Sequence, residues 1–262
     1  MATLRLDAAA VHAKVREAGT GTLELEGRQP PESSRPSVSL SSALDLAEAL
    51  GAEGAELVGL AAEGIELGAD GWHAVAVELG QRASCPQLTT LTLHGCGLGS
   101  SGGAAFAAAL RQGACTRLTA LSVPSNGLDD ASFAAIAKAL AVSCLAVEVL
   151  HVACNELTEL PEALFSVVSL QQLWLGHNDI GALPRGLLGL ARLRRLNIEG
   201  NPRLTTALDL PCSCTKCAQL VGNPPRRRSM LQIVGGTYDA ERKLHRDNDV
   251  EALFEHLRLV RG

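Results

Sequence analysis

The sequence contains few aromatic residues, no long apolar run, and no apolar segment behind a basic amino terminus. Aromatic residues make up 3% of the 262 residues, so alanine and leucine must fill the core in thin layers. Without an uninterrupted apolar stretch of about 20 residues, the sequence predicts no transmembrane helix. The first residues also lack the apolar core of a secretory signal. We therefore expect an intracellular protein, most simply a cytoplasmic one.

Hydrophobic residues are nonetheless abundant, at 47% of the chain, and this predicts a folded core rather than disorder. The formal net charge of -5 is unevenly distributed. Residues 1–189 contain 10 Lys and Arg against 20 Asp and Glu, whereas residues 190–262 contain 13 against 8. The asymmetry could steer a partner, or it could be ordinary solvated charge with a basic terminal cap.

A nine-residue pattern, LxxLxLxxN, recurs along the chain, and Cys can replace its final Asn. The matches are LTTLTLHGC from Leu88, LTALSVPSN from Leu118, VEVLHVACN from Val147, LQQLWLGHN from Leu170 and LRRLNIEGN from Leu193. Successive matches begin 30, 29, 23 and 23 residues apart. Because one such unit cannot bury its own apolar face, the units must stack into a solenoid.

Each position of the pattern has a physical role. Alternating apolar residues, such as Leu173 and Leu175, predict a short strand with one face turned inward. The final Asn lies where the chain turns, and its amide can bond backbone groups of adjacent turns. The predicted turn residues are Asn126, Asn155, Asn178 and Asn201, with Cys96 as the substitute.

This pattern resembles the leucine-rich-repeat family. The resemblance implies an α/β solenoid in which short parallel strands line a concave face and helices or irregular segments form the convex face. The units of 29–30 residues contain apolar helical segments, AAFAAALRQG and ASFAAIAKALAV, and resemble ribonuclease-inhibitor-type repeats. The 23-residue units contain LPxxL segments and resemble the shorter typical class.

Weaker copies extend the solenoid in both directions. A unit beginning at Leu57 predicts a strand and a helix, and Leu23 with Leu25 predicts a further strand. We predict an N-terminal helical cap at residues 1–19, the solenoid at residues 20–225, and a C-terminal cap at residues 226–262. The last segment contains an amphipathic helix that either closes the core or binds a partner.

Most cysteines follow the repeat. Cys85, Cys115 and Cys144 share one register position, which Val167 and Leu190 fill in the next two units. A position that accepts Cys, Val and Leu is a packing position, where Cys acts as a small hydrophobic residue.

The cluster CSCTKC requires a separate interpretation. Cys212, Cys214 and Cys217 supply three ligands, whereas structural zinc takes four, and His245 could in principle complete the set. We favour structural or exposed thiols over zinc, and we predict neither a metal site nor a cofactor. A disulfide is disfavoured in a reducing compartment.

Residues between the apolar strand positions point outward, so the concave strand face can be written from the sequence. Its N-terminal part carries small Thr, Ser, Ala and Gly side chains, whereas its C-terminal part collects larger ones around Trp174. Exposed Trp and Arg are typical of interface hot spots. The predicted partner-binding residues are His151, Gln172, Trp174, His177, Arg194, Arg195, Asn197 and Glu199.

The sequence thus favours a non-enzymatic protein–protein interaction module, a scaffold or adaptor subunit of a larger intracellular assembly. The family resemblance also implies an alternative, a regulatory factor that inhibits or activates an enzyme such as a small GTPase or a nuclease. The long acidic tail of the GTPase-activating members is absent. Nucleic-acid binding through the arginine runs is disfavoured because no aromatic residues are interleaved with them.

Catalysis is also disfavoured, and we expect no small-molecule substrate. Cys154 and His177 occupy equivalent positions on adjacent strands, but no Asp or Asn is placed to orient the imidazole. The glycine-rich segment Gly99–Gly103 lacks the Lys and Ser/Thr of a phosphate-binding loop.

Overall fold

The computed structural model describes residues 8–26, 40–65, 67–82 and 85–204. Within these ranges, strands and helical segments alternate along the chain. The α-helices are α1 (Ala8–Ala18), α2 (Leu40–Glu53), α3 (Gly68–Arg82), α4 (Gly99–Arg111) and α5 (Asp130–Ser143). The 3₁₀ segments are Gly54–Glu56, Glu162–Ser166 and Arg185–Gly189. The strands are β1 (Thr22–Glu26), β2 (Gly59–Glu63), β3 (Thr90–His94), β4 (Ala120–Ser122), β5 (Val149–His151), β6 (Gln172–Trp174) and β7 (Arg195–Asn197).

The described strands form one parallel sheet whose order is the order of the chain, β1 to β7. One leucine from every strand aligns in a continuous buried row, with each side chain at most 2% exposed. That row is Leu23, Leu60, Leu91, Leu121, Leu150, Leu173 and Leu196. The predicted α/β solenoid is confirmed, and β1 and β2 extend its sheet toward the N-terminus.

The helices pack side by side on the buried face of the sheet, α1 against α2 and so on to α5. Helix α5 begins with a capping box, in which the Asp129 carboxylate accepts a hydrogen bond from the Ser132 amide at 2.8 Å. Its Phe133, Ile136 and Leu140 are fully buried, as their spacing predicted.

Helix α4 begins earlier than its apolar pattern suggested. The glycine-rich segment Gly99–Gly103 forms its first turn, and the buried Gly103 is where helix α4 meets the next repeat. A Cβ at Gly103 would lie 2.8 Å from a methyl carbon of Leu128, so this close approach requires glycine. The prediction missed the turn because glycine carries no hydrophobic periodicity.

The shorter units replace the helix with a 3₁₀ segment. Each segment follows a proline, Pro161 or Pro184, and buries one leucine, Leu164 or Leu187. Packed helices lie about 8–10 Å apart, whereas neighbouring strands lie about 4.8 Å apart, so the helical side of the solenoid must be the longer, convex side.

A ladder of asparagines joins the turns at the ends of the strands. The Asn155 side-chain oxygen accepts hydrogen bonds from the amides of Asn126 and Leu128, both at 3.0 Å, in the preceding repeat. Its amide nitrogen donates to the carbonyls of Val152 at 2.9 Å and Val123 at 3.1 Å. Asn126 and Asn178 make equivalent bonds, and each asparagine is buried. The predicted turn role of asparagine is confirmed.

Cys96 replaces asparagine in this ladder, and its thiol occupies the place of the asparagine amide. The thiol, with one hydrogen to donate, lies 3.3 Å from the Ala62 carbonyl and 3.4 Å from the His94 carbonyl. The Asn126 amide, with two hydrogens, donates to the equivalent carbonyls of Leu93 and Pro124. One repeat earlier, the Leu67 amide bonds the carbonyl of Ile65 in its own turn. A thiol is a weak acceptor, and this local bond supplies the Leu67 amide with a stronger one.

Helix α1 covers the first strand and lies within the predicted N-terminal cap. Glu53 of α2 joins it by ion pairs, 2.9 Å to the Arg16 Nε and 3.3 Å to the His12 Nδ1. Burial raises the pKa of Glu53, but the hydrogen bonds from Arg16 and His12 outweigh it, and the net pKa is lowered.

The remaining predictions about the C-terminal part lie outside the described residues. They concern the last degenerate unit, the cluster Cys212, Cys214 and Cys217, and the cap at residues 226–262. The domain boundaries at residues 19 and 225 stay predictions. Among the described helices, none combines the length and the apolar character needed to cross a bilayer.

Candidate functional site

The sheet surface opposite the helices carries three aligned rows of side chains, which together we call the strand face. Its central row is Glu24, Ala61, Thr92, Ser122, His151, Trp174 and Asn197. The row before it is Thr22, Gly59, Thr90, Ala120, Val149, Gln172 and Arg195. The row after it contains Glu63 and His94 and continues along the repeat frame through Pro124, Ala153, Gly176 and Glu199. None of these rows contributes to the leucine core, since strand side chains alternate between faces.

Three consecutive strands place an aromatic cluster in the central row. The rings of His151 and Trp174 lie 5.9 Å apart between centroids and are tilted by 56°. On the other side, the His151 Nδ1 lies 3.2 Å from the Ser122 hydroxyl. Trp174 and His151 are each half-buried, so part of both rings faces solvent.

The cluster disfavours a charge on its histidine. Burial lowers the pKa of His151 from its ordinary value of 6.5, and electrostatic repulsion from the neighbouring His94 ring, when that ring is protonated, lowers it further. His151 is therefore neutral at pH 7, and one of its ring nitrogens can accept a hydrogen bond while the other donates.

Charge on the strand face is separated between its two ends. At the N-terminal end, Glu24 is exposed, and the Glu63 carboxylate lies 3.3 Å from the His94 Nδ1. At the C-terminal end, Arg194 and Arg195 are exposed where β7 begins. The acidic end was not predicted, because outward positions were assigned only in the repeats from Leu88 onward. The alternation Leu23–Glu24–Leu25 was the signal that could have revealed it.

A column of turn residues follows the strands, and each has a left-handed backbone with φ between 55° and 71°. It consists of Gly64, Gly95, Ser125, Cys154, His177 and Gly200. The amide of each of the first five donates a hydrogen bond to a carbonyl of the next repeat. The non-glycine side chains are thereby turned toward the rim of the strand face, where Ser125, Cys154 and His177 are exposed.

The sequence has a match to a known family over part of its length. A family model for the leucine rich repeat matches residues 146–202. Upstream of that match, β4 and β3 continue the same strand register and the same asparagine ladder. The chain therefore folds as a leucine-rich-repeat solenoid. No curated protein sequence matches it.

Several solved structures resemble this chain but share little sequence with it. A chain of the octameric complex of Latrophilin 3, Unc5D and FLRT2 is 15% identical, with a TM-score of 0.41, over 68% of this chain and 45% of that chain. InlP of Listeria monocytogenes is 14% identical, with a TM-score of 0.44, over 77% and 57%. A chain of the TLR13–ssRNA13 complex is 17% identical, with a TM-score of 0.45, over 78% and 30%. The chain thus spans less than two thirds of each of these proteins.

The repeat geometry brings the predicted partner-binding residues together on three adjacent strands and in the segments directly before or after them. His151, Gln172, Trp174, Arg195 and Asn197 lie on β5, β6 and β7 themselves.

The other three residues flank those strands. Arg194 immediately precedes β7, while His177 and Glu199 follow β6 and β7. The His177 ring lies over the backbone of Gly200, where a Cβ would meet its Nδ1 at 2.4 Å.

The side-chain oxygen of Asn197 already accepts a hydrogen bond within its own repeat. It accepts this bond from the Glu199 amide at 3.3 Å and lies over Gly176, where a Cβ would come within 2.5 Å of it. Gly176 thus leaves the space that Asn197 fills beside Trp174. Of the predicted residues, His177, Arg194 and Arg195 are exposed, whereas the other five are half-buried.

The register cysteines belong to the core of the solenoid, as predicted. Cys85, Cys115 and Cys144 are at most 3% exposed. Burial raises the pKa of Cys85 to about 12 and that of Cys144 to about 11, and it raises the pKa of Cys115 as well, with a further contribution from the two neighbouring thiols. They are protonated and unreactive, whereas Cys154 is exposed. Within the described ranges, no three His, Cys, Asp or Glu side chains converge as metal ligands.

Proposed function

We propose that this leucine-rich-repeat protein is a non-enzymatic protein-binding module whose partner occupies the strand face over β5, β6 and β7. The observation that carries the proposal is the Trp174–His151 pair, half-exposed in the central row with Arg195 one strand away. Large aromatic and arginine side chains that lose their water on binding supply most of the free energy of protein interfaces. A partner that covers this cluster would gain binding free energy from the aromatic pair and from the arginine.

The cellular role that fits this proposal is that of a scaffold or adaptor subunit in an intracellular assembly. A fixed row of strands presents side chains without rearrangement, so little conformational entropy is lost on binding. The buried register thiols fit a reducing compartment, where free cysteines persist.

The test compares capture of proteins from cell extract by the wild-type chain and by the double variant Trp174→Ala with Arg195→Glu. Both side chains lie outside the leucine core, so we expect the thermal midpoint to shift by no more than a few degrees, about 1–2 kcal/mol of stability. We expect the specific partner bands of the wild type to disappear, and quantitative mass spectrometry would measure the loss.

A matched control places similar changes on the convex side. Val142, 70% exposed near the end of α5, and the exposed Arg111 of α4 give the double variant Val142→Ala with Arg111→Glu. This control should capture the same partners as the wild type. If the strand-face variant also captures them undiminished, the proposed site is wrong.

A further inference from the structure

The strand face carries charge only near its two ends, within the rows that the structure describes. On β1 and β2, Glu24 and Glu63 face outward, and the side chain of Glu63 is 65% exposed. Across β3 to β6, the three rows contain no Lys, Arg, Asp or Glu. Arg194 lies one position before these rows, and at the equivalent position before β5 the exposed residue is Glu148. The acidic residues are thus separated from the opposite end by an uncharged surface that includes the Trp174–His151 pair.

The opposite end is basic, though less uniformly. Arg194 and Arg195 are both exposed at the start of β7, and the half-buried Glu199 follows the same strand. Both arginines are exposed and outnumber the single half-buried Glu199, so this end carries a net positive charge. A ligand that lies across the strands therefore meets opposite charges at its two ends.

The separation of the charged ends sets the size of such a ligand. Six strand intervals of about 4.8 Å separate β1 from β7, which gives a span of about 29 Å. An extended polypeptide covers that distance with about nine residues, and an α-helix needs about nineteen.

We propose that the ligand of the strand face is a polypeptide segment with a basic end and an acidic end, lying across the strands. Its basic end pairs with Glu24 and Glu63, its acidic end pairs with Arg194 and Arg195, and an apolar stretch covers Trp174. The proposal rests on the proposed function and specifies the chemistry of the partner. A nucleic acid fits less well, because its uniform phosphate charge would face the acidic end.

The probe that tests this is a fluorescein-labelled synthetic peptide with a lysine block, an uncharged spacer of about nine residues containing leucine, and an aspartate block. Fluorescence anisotropy at about 50 mM salt would measure its affinity, since higher salt screens exposed charges. We expect it to bind about tenfold more tightly than a peptide of the same composition with alternating charges. A peptide whose spacer is too short to span the face should also bind weakly.

Charge-reversal variants distinguish the direction of the charge gradient from the net charge. The pair Glu24→Lys with Glu63→Lys, or the pair Arg194→Glu with Arg195→Glu, should each reduce binding of the block peptide to the level of the alternating peptide. The variant that combines all four changes has the wild-type net charge and a reversed gradient. It should recover wild-type affinity, because the peptide can then bind in the opposite direction.

Several results would overturn the proposal. They are equal binding of the block and alternating peptides, no recovery in the fourfold variant, tighter binding of a single-stranded oligonucleotide than of the block peptide, or a salt-sensitive dimer of this chain in sedimentation. If the peptide measurements contradict the charge gradient while the Trp174 variant still loses its partners, the proposed binding site stands and only the proposed chemistry of the partner is wrong. If the Trp174 variant keeps its partners, the proposed function fails independently.

Discussion

Backbone conformation at single residues explains how each repeat passes from its strand to the outer segment. The turn column requires a left-handed residue in every unit, and three of its six members are glycine. Ser125, Cys154 and His177 also have a positive φ, which strains the backbone of a residue that carries a Cβ. At these positions the side chain is exposed at the rim of the strand face. At the other three positions of the column, glycine adopts the same φ without this strain.

Gly95 provides a direct test of this strain, because a Cβ there would meet no atom within 4 Å. With φ at 61°, Gly95→Ala should destabilise the protein by about 1 kcal/mol through backbone conformation alone. The matched control is Gly181→Ala, since Gly181 has equal space and no positive φ. That change should be neutral or stabilising by about 0.5 kcal/mol. Urea unfolding would measure both, and equal effects of the two changes would contradict the account.

At the level of whole elements, the asparagine ladder holds successive turns in register. Each asparagine accepts hydrogen bonds from the preceding repeat and donates to carbonyls of its own and earlier turns. In the turn upstream of Cys96, the Leu67 amide bonds locally to Ile65. Cys96, whose thiol takes the place of the asparagine amide as donor, therefore also permits the turn.

Replacement of Asn155 should separate the contribution of the accepted hydrogen bonds from that of the donated ones. Asn155→Ala removes both the acceptor and the donor from a buried site, and we expect a loss of about 3 kcal/mol. Asn155→Cys retains the donor, so it should cost clearly less than Asn155→Ala. Chemical unfolding of the two variants gives the comparison, and an equal loss would show that the donated hydrogen bonds contribute little.

These elements also show what the sequence could and could not predict. The leucine row, the asparagine ladder and the outward position of Trp174 followed from the nine-residue pattern, because each depends on a side chain at a fixed spacing. The first turn of α4 at Gly99–Gly103 and the left-handed column were missed, because both depend on backbone geometry that several residue types accept. Glu24 and Glu63 were missed because their repeats are degenerate in sequence, although their strands are regular.

At the scale of the whole molecule, stacking converts a local pattern into a surface. Seven aligned strands among the described residues place small side chains, an aromatic pair and two charged ends along one face. No single repeat contains such a combination, so the binding surface is a property of the assembled solenoid. The helical side, by contrast, contributes its apolar residues to the core and keeps the strands at their spacing.

The central claim is that a protein partner covers the strand face at Trp174. Site-specific photo-crosslinking tests it most directly, with p-benzoylphenylalanine introduced in living cells as Trp174→p-benzoylphenylalanine or, on the convex side, as Val142→p-benzoylphenylalanine. We predict a discrete cross-linked protein adduct from position 174 and none of the same mass from position 142. A chain that cross-links the same protein from position 142 but not from position 174 would contradict the account.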